Sequence, residues 1–214
     1  MQKVVISPTA LRVRVTIPPS KSLGHRGIIS AALSKGISNI SNVQYSKDII
    51  ATLEIMKMLG AKIEKKDNSL VIDGTDIFSC GDKEITLQCN ESGSTIRFLI
   101  PVALVREGQY VFQGKGKLVS RPLTSYYEIF DEKGIEYTTT EGGLPLKVKG
   151  KLSSGIYKLR GDISSQFITG LLFALPLVEG DSEIVVTTEL ESKGYVDLTL
   201  DTLKSFGIEI ENQD

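Results

Sequence analysis

Gly60-Ala61-Lys62-Ile63-Glu64 has two echoes further along the chain, Gly134-Ile135-Glu136-Tyr137 and Gly207-Ile208-Glu209-Ile210. In each copy a glycine is followed at once by a short β-prone run, and each stands at the end of a stretch whose apolar residues recur at helical spacing. Glycine there takes the left-handed position that stops a helix. The copies lie 74 and 73 residues apart (134 − 60 and 207 − 134), so the chain carries an internal repeat of about that length.

Working outward from these glycines, the first unit begins with short strands at 3–6 and 12–17 and a helix that opens at Ser20 and runs through Ile28-Ile29-Ser30-Ala31-Ala32-Leu33. A strand over 38–43, a helix over 48–59 and a hairpin over 61–64 and 69–72 complete it. The second unit reads as strand 84–88, helix 93–105, strand 109–112, helix 122–133 and a hairpin within 135–148. The third reads as strand 156–159, helix 164–178, strand 183–187, helix 195–206 and a last strand, 208–211. The shared plan of the units is therefore β-α-β-α-β-β, which the third follows as far as its strand at 208–211.

The helix starts repeat as well. First helices open on hydroxyl residues: Ser20-Lys21-Ser22, Ser92-Gly93-Ser94-Thr95 and Ser164-Ser165-Gln166. Second helices follow Ser46-Lys47-Asp48, Ser120-Arg121-Pro122 and Ser192-Lys193-Gly194-Tyr195, spaced 74 and 72 (120 − 46 and 192 − 120). If three such units pack about a pseudo-threefold axis, these N-termini gather at one end of the domain. Their unpaired N–H groups and dipoles then form a positive, donor-rich surface suited to a small polyanion.

Composition leaves room for that reading. The chain has 214 residues, 41% hydrophobic and 24% charged, with a net charge of −1, so a basic excess of the kind that marks nucleic-acid binders is lacking. Its apolar runs, 98–105 and 170–178, each contain a proline and fall short of the ~18 residues that span a bilayer. Cys80 and Cys89 form no CxxC pattern, and the start, Met1-Gln2-Lys3, has no secretory apolar region. A cytoplasmic protein without nucleic-acid or membrane partners is expected.

Pro18-Pro19-Ser20-Lys21-Ser22-Leu23-Gly24-His25-Arg26 is the clearest anion motif. The prolines end any strand, Ser20 and Ser22 are good caps, and the stretch reads either as a solvated surface helix or as an anion site; Lys21 and Arg26 place positive charge where the helix dipole disfavours it, which favours the anion. Arg97 stands four residues after Gly93, as Arg26 stands after Ser22. Gly93 suits either close approach of a ligand or helix packing. Arg121, held extended by Pro122, is a bidentate donor or a solvated loop residue. Ser164 and Gln166 suggest a capping box, Tyr195 stacks on a ring or packs, and His25 reads as a helix-surface residue. A P-loop is absent, and Gly114-Lys115-Gly116 lacks the third glycine of a dinucleotide fingerprint.

Taken together, Pro-Ser-Lys-Ser-x-x-x-Arg at 19–26, Ser-Gly-Ser-Thr-Ile-Arg at 92–97, Arg-Pro at 121–122, Ser-Ser-Gln-Phe at 164–167 and Ser-Lys-Gly-Tyr at 192–195 make the chain resemble the 5-enolpyruvylshikimate-3-phosphate synthase family over nearly its whole length. The resemblance implies an inside-out α/β domain, barrel-like, of three β-α-β-α-β-β repeats (about 18–80, 81–152 and 153–214), with strands 1–17 belonging partly to a second domain. It implies transfer of the enolpyruvyl group of phosphoenolpyruvate to the 5-hydroxyl of shikimate 3-phosphate, without metal or organic cofactor.

By the same resemblance Lys21 contacts both substrates and moves a proton, Ser22, Arg26, Ser164, Ser165 and Ser192 bind shikimate 3-phosphate, and Tyr195 lies along its ring. Gly93 and Arg121 hold phosphoenolpyruvate, Gln166 bridges the two, and Gly93 implies glyphosate sensitivity of a complete enzyme. Glu91 and His25 stand where relatives commonly have Asn. Family members run to about twice this length, with an Asp and a Glu for acid-base work in a C-terminal domain, so this chain is expected to be a nearly inactive N-terminal half that needs that domain in cis or trans. Two other readings are a non-catalytic anion-binding module of the same fold and a UDP-N-acetylglucosamine enolpyruvyl transferase. The second is marked by a Lys-Asn pair, whereas Lys21 is followed here by Ser22.

Overall fold

Ser20 ends the proline-led turn by accepting the Leu23 N–H on its Oγ at 3.3 Å, and helix α1 (Lys21–Leu33) begins there. Ser22 lies inside the helix. The computed structural model describes residues 4, 5, 7, 8, 10, 12, 14, 15, 17–79 and 83–213. In the first repeat α1 is followed by β1 (Ile37–Ile40), α2 (Lys47–Met58), β2 (Lys62–Lys66) and β3 (Ser69–Asp73). The second repeat holds β4 (Ile85–Gln88), α3 (Gly93–Ala103), β5 (Gly108–Gln113), α4 (Thr124–Lys133), β6 (Glu136–Thr140) and β7 (Gly143–Gly150). The third holds β8 (Gly155–Leu159), α5 (Ser165–Ala174), β9 (Ser182–Val186) and α6 (Lys193–Ser205).

The second repeat shows the full sheet, ordered β4-β5-β7-β6. Its β4 and β5 are parallel, joined by a crossover through α3, and the β6–β7 hairpin adds antiparallel to β5 with Gly108 opposite Gly150. The first repeat keeps β1-β3-β2 and the third keeps the parallel pair β8-β9. Among the described residues the first repeat thus lacks the leading strand and the third lacks the hairpin.

Sheets alternate in burial: Leu70 and Ile72 of β3, and Leu144, Leu146 and Val148 of β7, point inward while their neighbours do not. Such strands bury one face only. Helices α1, α3 and α5 are buried along most of their length, with Ile28, Ile29, Leu99, Ile100 and Ala174 fully buried, so they form the interior and the sheets lie outside them. That is the inside-out arrangement.

A proline shapes the centre. Pro101 lies in α3 and has no N–H, so the Arg97 carbonyl four residues earlier loses its helical partner. The Tyr126 hydroxyl of α4 donates to that carbonyl and also to the Phe167 carbonyl of α5, at 3.2 Å. Gly170 makes the junction possible, because a Cβ there would collide with the Tyr126 hydroxyl, the Arg97 carbonyl oxygen and the Pro101 ring. Around it Tyr126 and Phe167 pack edge to face at 4.9 Å, and Phe98 and Phe173 at 5.8 Å.

Several expectations need correction. Residues 3, 6, 13 and 16 of the two expected N-terminal strands lie outside the described residues, as does Cys80, and the described 4, 5, 12, 14, 15 and 17 are in no strand. The strand expected at 208–211 is not formed: its counterparts β2 and β6 pair with β3 and β7, and no such partner is described here. Pro176 ends α5 in a 3-10 turn at Leu175–Leu177, four residues before the expected boundary. Pro122 delays α4 to Thr124, with Leu123 at its cap and no side-chain cap bond.

Candidate functional site

Gly93 opens α3, and two guanidinium groups close on it. A Cβ at this position would lie 2.9 Å from Arg121 Nη1 and 3.0 Å from Arg97 Nη1, with Gln166 Oε1 at 3.9 Å. Arg97 rises from the second turn of α3, its Nη1 donating to Gln166 Oε1 at 2.8 Å and its Cζ lying 5.1 Å from the Phe167 ring centre. Arg121 comes from the loop before α4. Gln166, the second residue of α5, donates through Nε2 to Ser94 Oγ at 2.8 Å, so the N-terminal turns of α3 and α5 lie side by side.

Among the described residues no carboxylate pairs with either guanidinium. The pKa of Arg97 is lowered first by burial and then by Arg121, and its Nε is buried without a partner. Two cations facing each other in a partly desolvated cleft cost stability unless an anion is shared between them, and such cost collects at functional sites. The expected capping box does not form, because Gln166 is the second helical residue and its amide is taken by Ser94 and Arg97; only its N–H meets Ser164 Oγ, at 3.3 Å.

Lys21 lies on the rim of this end of the molecule, its Nζ 2.8 Å from Asp48 Oδ2 in the first turn of α2. Asp48 is a residue that sequence reasoning passed over, since an acid in the first turn of a helix is explained by the dipole alone. Its carbonyl oxygen accepts from Thr95 Oγ1 at 3.3 Å. Thr95 in turn bonds Ser92 Oγ at 2.7 Å and Thr52 Oγ1 at 2.8 Å, and Thr52 meets His25 Nδ1 at 2.8 Å.

His25 is therefore no surface residue. It is 3% exposed, lies edge to face with Phe98, and its pKa is pushed down to about 4, chiefly by burial. Once the first helices are aligned on their caps Ser20, Ser92 and Ser164, the counterpart of Arg97 is His25, five residues on, and Arg26 corresponds to Phe98.

Arg26 is 2% exposed and clamps three helices. Its Nε donates to Thr199 Oγ1 at 2.8 Å, Nη1 to the Ser22 carbonyl at 2.9 Å, and Nη2 to the Tyr195 carbonyl at 2.8 Å and Thr169 Oγ1 at 3.4 Å. These bonds use four of its five N–H groups. Burial lowers its pKa to about 10. Tyr195, half exposed, places its ring 5.9 Å from the Arg26 guanidinium. Ser192 is exposed with φ at +59° and makes no side-chain cap bond, while Ser165 is buried at the first turn of α5. The N-termini of α1, α2, α3, α5 and α6 and the loop before α4 are thereby brought to one end.

Residues 5–214 match the family described as EPSP synthase (3-phosphoshikimate 1-carboxyvinyltransferase). The chain belongs to the EPSP synthase family. Among its relatives, the 3-phosphoshikimate 1-carboxyvinyltransferase of Clostridium perfringens (strain SM101 / Type A) is 53% identical over 212 residues, 99% of this chain and 50% of that protein. The 3-phosphoshikimate 1-carboxyvinyltransferase of Clostridium botulinum (strain Alaska E43 / Type E3) is 56% identical over 211 residues, 97% of this chain and 48% of that one.

A solved EPSP synthase from Acinetobacter baumannii superposes with a TM-score of 0.79 at 24% identity, covering 93% of this chain and 45% of its own, a likeness of fold. The chain spans about half the length of the curated EPSP synthase relatives it matches. Among the described residues no group of three or more His, Cys, Asp or Glu is disposed to hold a metal, and no helix is long and apolar enough to cross a membrane. A cavity of about 830 Å3 lies away from the guanidinium pair, along β9 and Leu172, Val196, Leu200, Ile208 and Ile210.

Proposed function

We propose that this chain is the substrate-binding N-terminal half of an enzyme that transfers the enolpyruvyl group of phosphoenolpyruvate to the 5-hydroxyl of shikimate 3-phosphate, releasing phosphate. The observation that carries the reading is the Arg97 and Arg121 pair closing on Gly93 with no carboxylate among the described residues to neutralise it. Both substrates are anions. In the addition step the 5-hydroxyl oxygen gives up its proton as it bonds to the substituted carbon of the enol, and a proton joins the methylene carbon to make a methyl group. In the elimination step the carbon–oxygen bond to phosphate breaks and a proton leaves. The tetrahedral adduct carries the charges of both substrates, and fixed cationic donors stabilise it without reorganising.

In this reading Lys21 contacts both substrates and takes part in proton transfer, a role its exposed ammonium on the rim allows. Ser22, Arg26, Ser164, Ser165 and Ser192 hold shikimate 3-phosphate, with Arg26 offering its one remaining N–H and Tyr195 lying along the ring. Gly93 and Arg121 hold phosphoenolpyruvate, and Gln166, already between Ser94 and Arg97, bridges the two. Residues 18–214 act as one three-repeat domain and 1–17 belong partly to a second domain, which supplies the remaining acid-base groups in cis or trans. A cytoplasmic setting accords with the buried free thiol of Cys89.

Calorimetry of phosphoenolpyruvate with the chain saturated in shikimate 3-phosphate tests this. Arg121→Ala is expected to weaken binding by about tenfold or more, the size of a lost charge-assisted bidentate contact. Wild-type affinity in that variant, or rapid turnover by the chain alone, would overturn the reading.

A further inference from the structure

We propose that Asp48 is a positioning residue for Lys21, holding its ammonium at the mouth of the anion site. This rests on the reading above, in which Lys21 contacts the substrates. The two residues stand in the first turns of different helices and meet at 2.8 Å. A lysine at a helix start is repelled by its own dipole, whereas a carboxylate at a helix start is favoured, so the α2 terminus supplies the counter-charge that α1 cannot.

The backbone behind the carboxylate is fixed. The Asp48 carbonyl oxygen accepts from Thr95 Oγ1, which is tied to Thr52 and, through it, to His25. Thr95 also bonds Ser92, whose Oγ caps α3 directly before Gly93. One buried set of hydrogen bonds thus relates the Lys21 anchor to the helix terminus where Arg97 and Arg121 converge. Lys21 is otherwise a long, half-exposed side chain whose rotamers spread its charge over a wide arc. Anchored by Asp48, it presents that charge at one place.

The proposal makes a prediction opposite in sign to simple electrostatics. A carboxylate near an anion site repels the ligand, so its neutralisation by itself tightens binding; loss of a positioning contact weakens it. Shikimate 3-phosphate is titrated into the full chain and its Asp48→Asn, Asp48→Glu and Lys21→Met variants by calorimetry. The expected result is binding about two- to fivefold weaker in Asp48→Asn, within the range of a half-exposed ion pair, with recovery in Asp48→Glu. Unchanged or tighter binding in Asp48→Asn, while Lys21→Met weakens it, overturns the role of Asp48 alone. Unchanged binding in Lys21→Met overturns the reading of Lys21 as a ligand contact, and this proposal with it. A second readout needs no ligand: solvent exchange of the Lys21 ammonium protons, followed by NMR, is expected to speed up in Asp48→Asn and slow again in Asp48→Glu. Equal exchange in all three overturns the proposal.

Discussion

His25 is neutral in the fold because its surroundings leave a proton no place. Burial is the chief cause of its pKa falling from 6.5 to about 4; Lys21 and Arg26 push the same way and Asp48 opposes them. The unfolded chain takes up that proton at ordinary histidine pKa, so stability is fully present above about pH 6.5 and is lost as the pH falls toward 4. At about 1.4 kcal/mol per tenfold, the loss is ~3 kcal/mol. Urea unfolding at a series of pH values should show that slope in the parent chain and its flattening in His25→Asn. An unchanged slope would mean that other groups carry it. Gly93 makes the converse case, a residue whose replacement spares the fold. An added Cβ meets only the flexible ends of Arg97 and Arg121, so Gly93→Ala should leave unfolding free energy within about 1 kcal/mol of the parent. It should weaken phosphoenolpyruvate about tenfold or more by displacing both guanidinium groups. Calorimetry beside a denaturation curve separates the two effects. The charge of Arg97 and Arg121 is visible in the sequence; the burial of His25 is not, because the groups that enclose it, Thr52, Thr95 and Phe98, come from other parts of the chain.

Helix α3 shows how an element can be made to depend on its neighbours. Pro101 leaves the Arg97 carbonyl without a helical donor, Tyr126 supplies one from α4, and Gly170 on α5 leaves the room for it. Tyr126→Phe keeps the ring packing and removes the donor, leaving a buried carbonyl unsatisfied, which should cost about 1 to 3 kcal/mol. Gly170→Ala forces α3 and α5 apart and should cost more than that, by the same denaturation measurement. If Tyr126→Phe proved neutral, water would have to satisfy the carbonyl in its place. Apolar runs and hydroxyl-rich starts mark α3 and α5 well enough in the sequence, and the boundaries of most strands fall within a residue or two of where alternation puts them. Helix pairing is another matter. Nothing in the spacing of Pro101, Tyr126 and Gly170 announces that they meet, because each is explained locally: a helix-end proline, a core tyrosine, a packing glycine. The strand expected at 208–211 fails for a related reason, since a β-prone run becomes a strand only where a partner is in reach.

Across the whole molecule the three repeats share one plan and differ in how far it is filled. Among the described residues the second has four paired strands around α3 and α4, the first has three, and the third has the parallel pair β8 and β9. A two-stranded sheet has little ladder to protect it, and here β9 keeps one unpaired edge among the described residues, beside the cavity along α5 and α6. Helices α3 and α5, by contrast, are buried along most of their length and belong to one continuous apolar core with α1. Local opening should therefore be graded rather than uniform. In native-state hydrogen exchange the amides of α3 and of β5 should exchange at the global unfolding rate, and those of Ile184 to Val186 at least about tenfold faster. The gradient has a functional side. The anion site proposed above would draw Gly93, Arg97 and Ser94 from the most protected repeat but Ser164, Gln166, Ser192 and Tyr195 from the least protected one, so binding across it should slow exchange in the third repeat more than in the second. Addition of shikimate 3-phosphate during exchange measures that difference directly. Equal protection of β9 and β5 in the free chain would refute the gradient, and ligand protection confined to the second repeat would refute a site that reaches α6.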